Sequence, residues 1–301
     1  MDLPALAFAA GLASYAPVSV PAPTAKVWRA AAPLSSPTVA VSAAAGGIVP
    51  WPDMIASLMA ARVIAVGEKH DEAAHHRVQA YVLESVARRD ANVVVGLEMV
   101  SQDLQAGLDD FMSGRTSEAD FARFWKKAWG YDYALYKPVF DVARARRLRV
   151  VGLNAPIAVV STVAKKGVAG LTPAERALLP ATVAESADAR YRAFVKDSLS
   201  GHKLPPEAEA RMTEAQAVWN ETMGAKVAEL AAASRVVVIA GQGHMLWRAG
   251  IPESAARRGA GPVAVVLPYP LDGEPLPLPD RLSRLRDPAE LALADDFVLI
   301  P

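Results

Sequence analysis

Five short runs of mostly β-branched residues recur along the chain, and each is continuous rather than alternating: RVIAVG (Arg62 to Gly67), NVVVGLE (Asn92 to Glu98), LRVVGLN (Leu148 to Asn154), SRVVVIAG (Ser234 to Gly241) and PVAVVLP (Pro262 to Pro268). An unbroken apolar run suits a strand covered on both faces, because alternation marks a sheet with one wet side. Helical patterns fill the intervals, at 71–89, 104–111, 118–127, 137–147 and, as a long set, 174–233. Strand, helix and strand in repetition imply right-handed crossovers and an α/β fold: a mainly parallel central sheet flanked by helices. About eighty residues separate the third and fourth runs. A minimal crossover takes only ~10–12 residues, so a helical subdomain is expected at about 155–233, inserted between those two strands. The tail DDFVLI (Asp295 to Ile300) is expected to add a short edge strand, and the proline-rich stretch Pro268 to Asp280 to be irregular.

The first 48 residues are rich in Ala, Pro, Ser and Val, with only Asp2, Lys26 and Arg29 charged. They read as a leader or tether before a single domain at 49–301. Leu3 to Ala13 has the length of a secretory apolar region but no Lys or Arg precedes it, so export and retention both stay open. No apolar run reaches the ~18–20 residues of a membrane helix. With 32 basic and 32 acidic residues the chain gives no support to a nucleic-acid partner. The absence of cysteine excludes disulfides, thiolate metal sites and a cysteine-linked lipid anchor.

Ligands of open parallel sheets bind beyond the carboxyl ends of the strands. Here those ends carry Gly67-Glu68-Lys69-His70, Gly96-Leu97-Glu98, Gly152-Leu153-Asn154 and Gly241-Gln242-Gly243-His244. Glu68, His70, Glu98 and His244 are a donor set for a divalent metal such as Mn or Zn, and equally a set for general acid and base work in a hydrolase of the esterase or protease type. A structural reading competes, in which the acids bond helix-start N–H groups and His244 caps its helix. His75 and His76, at the start of the first helix, are expected to be packed or solvated helix residues rather than ligands. The aromatic set Trp125, Trp129, Tyr131, Tyr133 and Tyr136 is expected to serve packing, with Tyr133 or Tyr136 open to a place at the cleft mouth.

The segments VGEKHDEAAHHRVQ, VVGLEMVSQDLQAGLDDF, WKKAWGYDYALYKPVFDVARARRLRVVGLNAP, ARYRAFVKDSLSGH, AQAVWNETMGAKVAEL and GQGHMLWRAGIP follow one another over about residues 66–252. In these the chain resembles the ChaN family of haem-binding, iron-regulated proteins, within the wider grouping of Tiki proteases, TraB proteins and erythromycin esterases. The resemblance implies an α/β fold with a helical insert, a periplasmic or cell-envelope setting, and a homodimer that binds haem in haem or iron uptake and handling, with tyrosine on the iron. Carried onto this chain, the tyrosine is Tyr191 and a second contributor across the dimer is His202. Arg190, Arg192 and Lys196 either pair with propionates or form a solvated helix face. A phenolate is a hard anionic donor suited to ferric iron. Two departures stand out. The acid usual in the family's WDETM is Asn220 here, which cannot supply a negative charge, and many members are lipoproteins whereas this chain has no cysteine to acylate.

Overall fold

The computed structural model describes residues 39–200, 204–272 and 276–300. Its strands are β1 (Val39–Ser42), β2 (Gly47–Val49), β3 (Val63–Glu68), β4 (Val93–Ser101), β5 (Arg149–Asn154), β6 (Arg235–Gly241), β7 (Val263–Tyr269) and β8 (Asp296–Leu299). Its helices are α1 (Trp51–Leu58), α2 (Ala73–Ala87), α3 (Gln105–Met112), α4 (Glu118–Ala128), α5 (Tyr133–Ala145), α6 (Ile157–Lys166), α7 (Pro173–Arg176), α8 (Ala189–Ser200), α9 (Pro206–Ala231), α10 (Ile251–Arg257), α11 (Leu278–Arg284) and α12 (Pro288–Leu291). The strands form one sheet in the order β2-β1-β8-β7-β3-β6-β4-β5. From β8 through β5 all neighbours are parallel, while β1 runs antiparallel to both β8 and β2.

The continuous apolar runs bury both faces, as a three-layer α/β/α arrangement requires. Ile64 and Val66 of β3 join Val95, Leu97, Val237 and Ile239 against α1, α2 and the α3–α5 group. The alternate residues Val63 and Ala65 join Val94, Val236, Val238 and Ala240 against α8, α9 and α10. The first face is finished by an aromatic block in which Phe111, Phe121, Trp125, Tyr133 and Phe140 meet ring to ring. These side chains are buried, so Trp125 and Tyr133 serve packing. The long interval between β5 and β6 is helical, and α9 lies along the second face of the sheet, where Met223, Val227 and Leu230 enter its core.

Two boundaries differ from expectation. The stretch read as leader or tether through residue 48 already contributes β1 and the start of β2. Val39–Ser42 was hidden in a Pro- and Ser-rich neighbourhood, and its partner is β8, far away in the chain. For the same reason DDFVLI is not an edge strand: β8 sits between β7 and β1. Among the described residues no helix is long and apolar enough to cross a membrane.

Candidate functional site

Topology decides which strand ends meet. β6 lies between β3 and β4, with Glu68 in register with Gly241 and Leu97 with Ile239, so Glu68, Gly241 and Glu98 come from three adjacent strands. β4 also loses its register with β5 between Leu97 and Ser101, an irregularity of the kind that re-aims a side chain beside a site. Gly241 shows how tightly the groups converge. A Cβ there would stand 2.8 Å from the His70 ring, so a side chain at this position would force that ring to shift.

The four residues form two carboxylate–imidazole pairs. His70 Nδ1 lies 2.6 Å from Glu68 Oε1, with the Glu68 side chain fully buried and that of His70 31% exposed. His244 Nε2 lies 3.2 Å from Glu98 Oε1, both nearly buried, and Glu98 Oε2 accepts the Gly241 N–H at 2.6 Å. Burial by itself lowers the His70 pKa, but the hydrogen bond and charge of Glu68, followed by the charges of Glu98 and Asp71, raise it to about 9. Burial raises the Glu98 pKa, and the charge and hydrogen bond of His244, then His70 and the Gly241 amide, overcome it and hold the carboxyl at about 2.

Each pair has its own support. Behind Glu68, Trp129 Nε1 donates to Tyr136 Oη at 2.9 Å and Tyr136 donates to Glu68 Oε1 at 3.2 Å. Trp129 and Tyr131 also pack against the His70 ring. Burial and the charges of Glu68 and Glu98 drive the Tyr136 phenol far above its ordinary range, so it stays a donor. His75 and His76 are both fully buried and brace the turn that carries His70. The Lys69 N–H donates to His75 Nδ1 at 2.9 Å, and His76 Nε2 lies 3.2 Å from the His70 carbonyl. Burial, then the charge of His76, push the His75 pKa down to about 4 and keep that ring neutral.

Behind Glu98 stands a second chain of contacts. His244 Nδ1 lies 2.7 Å from Asn220 Oδ1 and 3.2 Å from Gln216 Nε2. Asn220 Nδ2 donates to Tyr191 Oη at 3.0 Å, and Tyr191 donates in turn to the Gly243 carbonyl at 2.8 Å. Tyr191 is therefore linked through Asn220 to the His244–Glu98 pair. It is only 2% exposed. Burial raises its pKa, and the Gln216 and Asn220 hydrogen bonds oppose that rise.

A cleft of about 330 Å³ is lined by Glu68, His70, Gly241 and His244 at the strand ends, by Gln216 of α9 and by Phe194, Val195 and Ser198 of α8; Tyr191 and Glu98 are not among its lining residues. Not every expected residue reaches it. Arg190 is on the solvent side of α8, paired with Asp188 and stacked over Trp247, and Arg192 donates to the Ser186 and Ala187 carbonyls. Asn154 turns to the Glu98 carbonyl and the Ala155 amide. His202 lies outside the described residues. The divalent site expected from Glu68, His70, Glu98 and His244 is not formed: among the described residues no group of three or more such side chains has a metal-holding arrangement. The reason is local, since each imidazole is turned to the carboxylate of its own pair.

The family model described as haem-binding uptake, Tiki superfamily, ChaN, matches residues 54–254. The chain belongs to the ChaN family. Among solved structures it is similar to ChaN of Campylobacter jejuni, whose structure concerns cofacial haem binding, at 20% identity and TM-score 0.62 over 86% of this chain and 95% of that one. That likeness shows the fold. It is more remotely similar to the type III effector HopBA1, at 12% identity and TM-score 0.45 over 82% and 90% of the two chains. An erythromycin esterase in its open conformation follows, at 11% identity and TM-score 0.43 over 73% of each chain. No curated protein matches the chain in sequence.

Sequence reasoning missed Gln216 and the Trp129–Tyr136 support. Gln216 and Asn220 are four apart on α9 and so share a face, a spacing that would have linked them. Nothing in the sequence points Tyr136 at Glu68 rather than into the aromatic block.

Proposed function

We propose that this ChaN-family protein binds haem in haem or iron uptake and handling, with Tyr191 as the iron ligand and two chains enclosing the cofactor. The observation that carries the reading is the surroundings of the Tyr191 oxygen in a chain of this family. Two side-chain amides, Asn220 at 3.0 Å and Gln216 at 3.4 Å, donate to it beside a cleft walled by Phe194 and Val195. Amide donors suit a phenolate, and an apolar wall suits the face of a porphyrin. Ligation requires the phenol to leave the Gly243 carbonyl and turn toward the cleft. Support for a dimer comes from size: about 330 Å³ is at the small end of the ~300–1,000 Å³ range of ligand pockets, so the cleft covers part of a macrocycle and a second chain covers the rest. Hemin titration followed by absorbance and by molecular mass tests both parts. The expected result is a Soret band with a high-spin ferric spectrum and a doubling of mass, with the spectrum altered in Tyr191→Phe. A flat titration refutes the haem reading, and an unaltered Tyr191→Phe spectrum refutes the ligand.

The two carboxylate–imidazole pairs favour a second reading, a hydrolase that uses these groups as acid and base. Glu68 orients His70 through Nδ1 and leaves the other ring nitrogen for the cleft, as a catalytic acid or base requires. Glu98 and His244 supply the complementary pair. An ester and peptide panel on wild type, His70→Ala and His244→Ala decides it, since equal rates in all three remove the reading.

A further inference from the structure

A second cavity, of about 500 Å³, shares no lining residue with the strand-end cleft. It lies where the ends of β1 and α1 meet the starts of β7 and β8, with α12 alongside: Ser42, Leu58, Ala264, Asp296 and Leu291 each come from a different one of these elements. Alanine, leucine and proline make up most of its lining, and its charged residues are Arg248, Asp295 and Asp296. Two of these three charges are spent on each other. Arg248 Nη2 lies 2.6 Å from Asp295 Oδ1, and Asp295 Oδ2 accepts the Val265 N–H at 2.7 Å. Asp296 differs: it is only 4% exposed, and its Oδ1 is buried with no hydrogen-bond donor among the described residues. Burial, aided by the charge of Asp295 and opposed by a Ser42 hydrogen bond and the charge of Arg248, raises its pKa to about 6, which leaves the carboxyl largely ionised at neutral pH. A buried anionic oxygen without a donor is costly, and a ligand that supplies the donor recovers that cost on binding.

We propose that this cavity binds a small aliphatic amine, its ammonium group hydrogen-bonded to the Asp296 carboxylate and its hydrocarbon body against Leu58, Ala264 and Leu291. The donor set selects this class. An ionised carboxylate calls for a cation with N–H groups, and Ser42 and Ser57, which also line the cavity, add hydroxyls able to accept from an ammonium's remaining donors. A bare metal ion is not served: among the described residues no group of three or more His, Cys, Asp or Glu could hold one, and an aliphatic wall offers no oxygen ligands. The volume lies within the ~300–1,000 Å³ of ligand pockets. Contact with Oδ1 itself requires a turn of the carboxyl about its Cβ–Cγ bond. The site stands apart from the haem and hydrolase readings and depends on neither.

The test is a titration of the isotope-labelled full chain with n-butylammonium chloride at neutral pH, followed by backbone amide chemical shifts. Saturable shifts are expected at Ala43, Ala292 and Asp296. The uncharged n-butanol should bind about tenfold or more weakly, the worth of one charge-assisted hydrogen bond, and Asp296→Asn should weaken n-butylammonium by a similar factor. Leu291→Trp, which fills the cavity from α12 and leaves the carboxyl in place, should abolish the shifts. The proposal is overturned by a titration without saturation, by shifts confined to the Glu68–Glu98 cleft, by equal affinity for the alcohol, or by unaltered binding in either variant. Should Asp296→Asn not fold, the alcohol comparison and Leu291→Trp decide.

Discussion

Raising the pH through the alkaline range should weaken this fold through one side chain, His70. Its pKa rises from the ordinary 6.5 to about 9 on folding, and at about 1.4 kcal/mol per pH unit that gap corresponds to about 3 kcal/mol. Because the folded value is the higher one, the stabilisation is complete below pH 6.5 and is lost as the pH climbs through 9. Glu98 works in the opposite direction. Its folded value of about 2 against an ordinary 4.5 gives stability that is complete above 4.5 and lost as the pH falls toward 2. His70 and Glu98 act on each other, so the two contributions overlap and do not add. Urea unfolding of wild type and His70→Asn across this range isolates the effect, since other titrating groups are common to both. Wild type should lose about 3 kcal/mol relative to the variant between about pH 6.5 and 9. Glu68→Gln should abolish most of that slope, because the Glu68 hydrogen bond and charge are the largest causes raising the His70 pKa. Parallel curves for wild type and His70→Asn refute the reasoning.

Gly250 has φ +62, and a Cβ there would press on the His244 carbonyl oxygen and stand 3.1 Å from Tyr191 Oη. Gly250→Ala should cost about 3 kcal/mol by urea unfolding through backbone strain and crowding, and an unchanged midpoint would exclude both. Tyr136→Phe removes the hydroxyl that joins Trp129 to Glu68 and should cost about 1–2 kcal/mol, with hemin binding unchanged. A loss of hemin binding would mean that the Glu68 side of the cleft contacts the cofactor. Phe194 packs between Tyr191 and Trp247 at ring distances of 6.1 and 6.0 Å. Phe194→Ala should weaken hemin roughly tenfold through lost apolar contact, and equal affinity would move the cofactor off this wall.

The sheet was legible because its strands are buried on both faces and so cannot alternate. Glu68, Glu98, His70 and His244 were legible as a cluster because each lies on or just past a parallel strand, and such ends share an edge. Their pairing was not. That Glu68 takes His70 while Glu98 takes His244 depends on β6 entering between β3 and β4, which no local pattern encodes. β1 was missed for a related reason: four residues, VAVS, acquire meaning only beside Asp296–Leu299 at the other end of the chain. Asn220 was visible as a departure from the family motif, but its place between Tyr191 and His244 follows from how α8 and α9 pack, which helical periodicity does not specify.

That placement also relates the two proposed activities. Tyr191 and the His244–Glu98 pair are joined through Asn220, beside a cleft lined by His70, His244 and Phe194. A macrocycle held by Tyr191 against Phe194, as proposed, would lie beside His70, whose side chain is 31% exposed. On these two readings, haem binding and hydrolysis at this cleft would exclude each other. Any ester turnover by the haem-free protein should stop as hemin reaches one equivalent per cleft and persist at the same hemin concentration in Tyr191→Phe. Turnover that continues in hemin-saturated wild type would place the macrocycle elsewhere on the molecule, and equal inhibition of wild type and Tyr191→Phe would remove Tyr191 as its anchor.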